Sequence, residues 1–363
     1  MKKPSLKKIK PRIPKSLPSP LRRPKGTEER VEEALRGVPR ITNETVAEHR
    51  EAVLSSARKY IYPLKHSKHR VVRISISILV VAVVLFMAYC GFALYKLQST
   101  SGFIYDITKV VPFPVAKVGN TWVSYESYLF ELRRNMHYYE SQQNVDFGDK
   151  QGKAQLALLK NEALSQVEDN AYVAQLANKY NVSVSGQAIN NEVLLLRDEN
   201  RLGSSNRDFN EVLSEFWGWD QDDFKRELGE EMLQQAVATR LDTAATTEAN
   251  NILKQLQKGA DFGTLAGQYS DDMATKTNGG QYSGAITPSD TDLAPVITAE
   301  LFKLQAGQTS GVINTGYTLD ILKVVDRDGN SLHAAHIQIT LASIQTYIKP
   351  LQKREKVHVY IKF

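Results

Sequence analysis

Few side chains in this sequence are grouped in a way that suggests proton or metal chemistry. His333 and His336 lie three apart in a stretch that reads as a strand, so they point to opposite faces and cannot chelate one ion. His66 and His69 stand beside lysines just ahead of a long apolar run and read as a solvated flank. The neighbours Asp271 and Asp272 face differently and do not suggest an acid/base pair. A Gly-rich phosphate loop, a serine nucleophile elbow and zinc-ligand spacing are all missing. No metal and no cofactor is therefore expected. One polar pairing depends on geometry. Residues 319–325 and 332–339 read as strands joined at Asp328-Gly329, a strong hairpin signal. A two-residue turn would set His336 opposite Ile321, with Asp320 on the other face. A three-residue loop would set His336 opposite Leu322, on the face shared by Thr318 and Asp320, and only then can Asp320 and His336 form a network.

The elements that must position these residues occupy the second half of a 363-residue chain with 42% hydrophobic content, room for two folded domains. Charge is uneven along it. Residues 1–73 hold 20 lysines and arginines against 7 acidic residues, whereas the whole chain is only +6, so the remainder is net acidic. The first 25 residues are basic and proline-rich and cannot bury enough apolar surface to offset their ordering entropy. They are read as disordered, with anionic lipid headgroups as a partner; nucleic acid is not expected. Short helices are expected over residues 27–35 and 44–59. Residues 74–95 then run 22 positions without a charge, enough to cross a hydrocarbon core of roughly 30 Å. The stretch is too long and too far along the chain for a signal-peptide core. With basic charge ahead of it and only Lys96 close behind, residues 1–73 are expected in the cytoplasm and the rest outside. Cys90, the single cysteine, lies inside the span, so no disulfide forms within the chain. Tyr89 ahead of it excludes a lipoprotein cleavage site, leaving a lipid-facing or packing thiol.

Beyond the span, residues 115–124 read as a short hairpin with Gly119-Asn120 at its turn, and Ser124 caps the helix that follows. Further helices are expected at 153–180, 185–200, 208–216 and 221–245. Leu156, Leu159, Leu164, Val167, Ala171 and Leu176 form an apolar stripe. Phe216-Trp217-Gly218-Trp219 is too aromatic for a stalk surface and suits a core or a peptide-holding groove.

Residues 259–317 hold several signals in a fixed order. Gly259 is followed by Asp261-Phe262, Leu265-Ala266 and Tyr269-Ser270-Asp271-Asp272. Then come Gly279-Gly280, Leu301-Phe302-Lys303-Leu304, Gly307 to Gly311 and Thr315-Gly316-Tyr317. This order resembles the parvulin (PpiC-like) family of peptidyl-prolyl cis-trans isomerases. The family opens with a histidine-bearing strand before its first helix, and residues 237–243 carry no histidine. A strand at 332–339 could fill that slot from the C-terminal side, a sheet with its first strand moved to the end. The rival arrangement is a tandem pair, one domain without its opening strand followed by a truncated second.

Upstream, Ala116 to Ser124, Asn181-Val182-Ser183-Val184-Ser185, Phe209 to Leu213 and Phe224 to Leu228 are similar to the N-terminal chaperone segment of SurA-like proteins. The fold expected is α+β: one transmembrane helix, a mostly helical SurA-like domain, and a parvulin-like domain with a small antiparallel sheet. Its divisions would be 1–73 basic segment, 74–95 span, 96–112 linker, 113–246 chaperone domain, 247–340 isomerase domain and 341–363 extension.

The resemblance implies a proline pocket of Leu293, Ile297 and Phe302, with Asp272 close to the twisting bond, Thr315 near the sheet histidines and His336 as the first-strand histidine. The place of the second sheet histidine falls to Asp320 or, by another count, Thr318. The activity implied is isomerisation of X-Pro bonds in unfolded or newly exported chains by a single-pass membrane protein. Two alternatives stand beside it: a parvulin-like holding chaperone that only binds peptide, and a membrane scaffold working through its basic tail.

Overall fold

The computed structural model describes residues 41–61, 64–198 and 205–362. The first 25 residues and the helix expected at 27–35 lie outside them. The chain divides into a unit ending at Val83 and a second beginning at Val84. In the first, α1 (Asn43–Ile61) spans the helix expected at 44–59, and α2 begins; α2 is the long helix Leu64–Tyr95. Its stretch His69–Tyr95 has a mean hydropathy of 2.7 and is long and apolar enough to cross a membrane.

The second unit opens with the last turns of α2, and these are not free. Cys90, Ala93 and Leu94 are buried, the latter two in the core of the helical domain. Cys90 is thus a packing thiol. That core is assembled from α3 (Gly102–Val110), a small sheet and three long helices. The strands β1 (Pro114–Val118) and β2 (Thr121–Ser124) pair around Gly119, whose φ of 55° suits the turn. Ser124 caps α4 (Tyr125–Gln143), its hydroxyl accepting from the Ser127 amide at 2.9 Å. Next come α5 (Lys150–Tyr180), α6 (Gly186–Asp198), α7 (Asn206–Trp217) and α8 (Gln221–Leu241). The apolar stripe of α5 faces inward: Leu159, Val167, Ala171 and Leu176 are buried, with Leu156 and Leu164 partly so.

The helix expected to run through 245 breaks at Asp242. The Asp242 carboxylate accepts from the Ala245 amide at 3.0 Å and so starts a new helix, α9 (Thr243–Gln257). Its other oxygen takes the Ala342 amide at 2.8 Å. One side chain thus ties the chain where it leaves the helical domain to where it returns.

Between those points lie α10 (Phe262–Tyr269), a 3-10 turn at Lys276–Asn278, α11 (Pro295–Leu301), and the strands β3 (Thr309–Asn314), β4 (Thr318–Asp328) and β5 (Ser331–Thr340). The sheet order is β3-β4-β5, all antiparallel, and residues 281–286 bridge to the free edge of β5 at Ala335 and Leu332. Strand 332–339 therefore pairs with 319–325, as the displaced-strand arrangement requires. His336 stands opposite Leu322. The turn differs from expectation. Its central residues are Gly329-Asn330, a two-residue turn that would alone give another register, and an irregularity between Val324 and Asp326 adds one residue to β4. Turn and bulge together yield the register expected of a three-residue loop. One face of the sheet (Leu319, Ile321, Ala335, Ile337, Ile339) packs on α9 and α10; the other (Leu322, Val324, Leu332, Ala334) packs on α11.

After β5 the chain re-enters the helical domain. Helix α12 (Ile344–Arg354) lies on α5, where Gln345 and Gln352 both donate to the Asp169 carboxylate at 2.6 and 2.8 Å. The last strand, β6 (Val357–Val359), joins β1, so residues 341–362 complete the first sheet as β2-β1-β6. Ile348 on α12 is fully buried in the helical core. Replacing it, Ile348→Ala, is expected to cost about 2–5 kcal/mol of stability. Denaturant unfolding followed by tryptophan fluorescence reads that loss; a midpoint equal to that of the unaltered chain would show that α12 contributes no packing.

Candidate functional site

The polar centre of the second domain is assembled by a loop stitched to β5. After α10, the Asp271 amide donates to the Gln338 carbonyl at 2.7 Å and its carboxylate accepts from the Thr340 amide at 2.8 Å. That fixes Asp271 to the strand end and turns Asp272 inward, the divergence expected of adjacent residues. The loop then passes so close to β5 that a Cβ on Gly280, whose φ is 81°, would lie 2.2 Å from the His336 carbonyl oxygen. Only glycine lets the His336 amide donate to the Gly280 carbonyl at 2.8 Å.

His336 is the hub. Its Nε2 lies 2.9 Å from an Asp272 oxygen and its Nδ1 lies 3.1 Å from an Asp320 oxygen. Thr275 donates to the same Asp272 oxygen at 2.6 Å and stands 3.0 Å from Nε2. On the far side, Thr318 donates to Asp320, and Thr315 lies 2.6 Å from Thr318. Asp320 is thus the residue that meets His336 directly, and Thr315 reaches it only through Thr318. The ring of Tyr282 lies 4.5 Å from the imidazole, tilted by 31°.

A carboxylate on each ring nitrogen calls for a proton on each, because a neutral ring would turn a lone pair toward one of them. Burial presses His336 toward neutrality, but the hydrogen bonds and charges of Asp320 and Asp272 outweigh it and raise its pKa. Asp272 is held below the ordinary carboxylate range: burial would raise it, and the bonds from Thr275, His336 and the Ala274 amide prevail. Tyr282 is pushed up by burial and then by the two carboxylates, so it stays a neutral phenol.

Next to this chain is the apolar cluster on the α11 face of the sheet. Leu293, Ile297 and Phe302 all belong to it, with Leu322 and Tyr282. Ile297 is buried and forms wall; Leu293 and Phe302 are half-buried. Arg327 holds the end of α11 by donating to the carbonyls of Leu301, Phe302 and Leu304. All seven residues picked out from the sequence therefore fall in one neighbourhood, with Thr315 at its edge.

Residues 232–326 match the PPIC-type PPIASE domain model, and residues 65–238 match the SurA-like N-terminal domain model. The chain carries a parvulin-type rotamase domain behind a SurA-like one. The rotamase match stops before β5, the strand that bears His336. Among curated relatives, a parvulin-like PPIase of Rickettsia bellii is 36% identical over 22% of this chain and 28% of its own length. Foldase protein PrsA 3 of Bacillus cereus is 38% identical over 22% of this chain and 27% of its own. Chaperone SurA of Pectobacterium atrosepticum is 36% identical over 27% of this chain and 23% of its own. The chain thus spans about a quarter of the length of these relatives.

Two residues of the rotamase site escaped sequence reasoning. Thr275 lies three residues after Asp272, the spacing at which an aspartate and a threonine bond across a turn. Tyr282 follows Gly279-Gly280 at alternate spacing along the segment that bridges to β5. In the SurA-like domain, the carboxylates of Glu131, Glu227 and Glu230 come within 4.8 Å of one another. Arg134 contacts Glu131 and Glu227 at 2.8 and 2.7 Å, and Arg226 contacts Glu230 at 3.2 Å, so two arginines hold the cluster together. Burial, then Glu227, pushes Glu131 up to about 8.

The raised His336 pKa has a defined sign. Its contribution to stability is full below the ordinary histidine value of about 6.5 and is lost as pH rises through the folded value. Asp272 acts oppositely, contributing above about 3.9 and failing as pH falls through its depressed value. NMR titration of the His336 ring is expected to give a midpoint above about 6.5 that drops in Asp320→Asn. A midpoint at or below that value in the unaltered chain would contradict a doubly protonated ring.

Proposed function

We propose that this chain is a membrane-anchored peptidyl-prolyl cis-trans isomerase that assists the folding of exported proteins. The domain of α9 to α11 and β3 to β5 is the isomerase, and the helical domain, closed by α12 and β6, is the holding domain. The observation that carries the reading is the Asp272–His336–Asp320 chain running beside the apolar cluster that holds Leu293, Ile297 and Phe302. Rotation about an X-Pro bond is opposed by a barrier of about 18–20 kcal/mol, because twisting removes amide resonance. Planar resonance places negative charge on the carbonyl oxygen, and twisting withdraws it. A carboxylate held beside that oxygen therefore disfavours the planar states more than the twisted one, which is what lowers the barrier. Asp272, the more exposed of the two carboxylates, is in place for this, with side-chain exposures of 23% against 3% for Asp320. His336, fixed by Asp320, holds Asp272 ionised and aimed. The apolar cluster seats the proline ring.

Anchoring is supported by the apolar helix ending at Tyr95. The excess of basic residues before it supports a cytoplasmic side for residues 1–73, near anionic headgroups, and an outer side for the folded part. The clients are unfolded or newly exported polypeptides. A cleft of about 570 Å³ favours a holding role alongside catalysis. Val184, Leu196, Leu228 and Met232 line it from the helical side and Val296 and Thr315 from the isomerase side.

Isomerisation of a short X-Pro peptide tests the reading. The unaltered chain should accelerate it, and Asp272→Ala and His336→Ala should each lose about a hundredfold, typical for removal of one preorganised group. Folding of each variant is checked by circular dichroism. No acceleration by the unaltered chain would leave the holding role alone.

A further inference from the structure

The C-terminal end of α2 is part of the folded unit, and this fixes where the bilayer surface must lie. About twenty residues cross a hydrocarbon core, which counted from Ile74 reaches Ala93. Yet Ala93 and Leu94 are packed in the helical core. The Tyr125 hydroxyl donates to the Leu94 carbonyl at 2.7 Å, the Tyr95 hydroxyl to Pro114 at 2.6 Å, and Gln98 to the Lys362 carbonyl at 2.6 Å. No linker separates span from domain. On the other side of the same turns, Tyr89 and Phe92 remain 56% and 55% exposed.

Beside this exit, the outer face of the β2-β1-β6 sheet has an unusual surface. Trp122 and Tyr360 are 60% and 44% exposed and stack with ring centroids 6.1 Å apart. The Lys117 ammonium lies 5.0 Å over the Trp122 ring, and Lys117 pairs with Trp122 on one side and His358 on the other. The Tyr360 amide donates to the Val115 carbonyl, one residue from the carbonyl that receives Tyr95. The face is thus anchored beside the helix exit. It presents Trp122, Tyr360, Lys117 and His358.

We infer that this face, centred on Trp122, Tyr360 and Lys117, rests in the headgroup layer of the bilayer that α2 enters. The inference rests on the membrane-anchor reading above. Tryptophan and tyrosine favour that layer because their rings are apolar while their N–H and O–H groups reach water and phosphate. Lysine extends its apolar stem along the ring and leaves its charge with the phosphates. Docked this way, the helical domain is held in one orientation over the membrane.

The test uses the full chain in lipid nanodiscs with a nitroxide on the headgroup. Cys90→Ala removes the native thiol, and a fluorophore is attached through Thr121→Cys or His358→Cys, with Asp328→Cys at the β4–β5 turn for comparison. Quenching at positions 121 and 358 should exceed that at 328 by at least about twofold, and Trp122→Ala with Tyr360→Ala should remove the excess. Equal quenching at all three positions, in chain that alkaline carbonate fails to extract, overturns this inference alone. Extraction by carbonate overturns the anchor reading and this inference with it. Shielding of 121 and 358 from a water-soluble quencher without lipid quenching assigns the face to a second copy and likewise overturns it.

Discussion

The register of β4 against β5 is the constraint from which the site follows. Side chains alternate across a strand, so slipping β5 by one residue would carry His336 from the face turned to α11 into the contact with α9 and α10. It would also lift Ile337 out of that core. The apolar alternation of Ile321, Ile337 and Ile339 against Leu322, Val324 and Ala334 therefore sets the register by burial. The position of one titratable ring is a by-product of packing several aliphatic ones. The bulge between Val324 and Asp326 makes this compatible with a tight turn at Gly329-Asn330.

A buried histidine between two carboxylates is costly unless every polar atom is met, since desolvation of three charged groups outweighs one imperfect pair. Here the surplus oxygens are occupied. Thr275 and the Ala274 amide cover Asp272, and Thr318 covers Asp320 with Thr315 behind it. Such a chain is stiff, because each hydrogen bond polarises the next. That stiffness is what a carboxylate needs if it is to favour one amide geometry over another.

Much of this was legible in the sequence. The strand pair 319–325 and 332–339 could be read from alternation, and the pairing of Asp320 with His336 followed once Leu322 was set opposite His336. The turn position was not legible, because Asp328-Gly329 and Gly329-Asn330 are both good turn pairs and the bulge that decides between them depends on packing against α11. Thr275 and Tyr282 were missed for a related reason: their roles come from a loop that doubles back along β5, and no local pattern announces a backbone crossing other than the glycine at 280. The pairing of residues 341–362 was not legible because their partners, Val115 to Val118 and Asp169, lie about 170 or more positions away in sequence.

That last contact changes how the two domains are related. The rotamase domain is not a tail on the helical domain. It is inserted between α8 and α12, and both crossings meet at Asp242, which caps α9 with one oxygen and receives the Ala342 amide with the other. Closing the helical core then requires residues beyond the rotamase domain, Ile348 and Ile361 among them. The displaced strand fits this plan. With the histidine strand last, the isomerase sheet ends on β5, and the chain leaves it directly into α12 beside Asp242. Had that strand come first in the order usual for the family, the chain would have left from Asp328 at the end of β4, which lies beside Ser331 at the opposite end of the sheet from Thr340. Moving one strand to the end brings the exit beside the entrance, and a two-point attachment restricts hinge motion more than a single linker does.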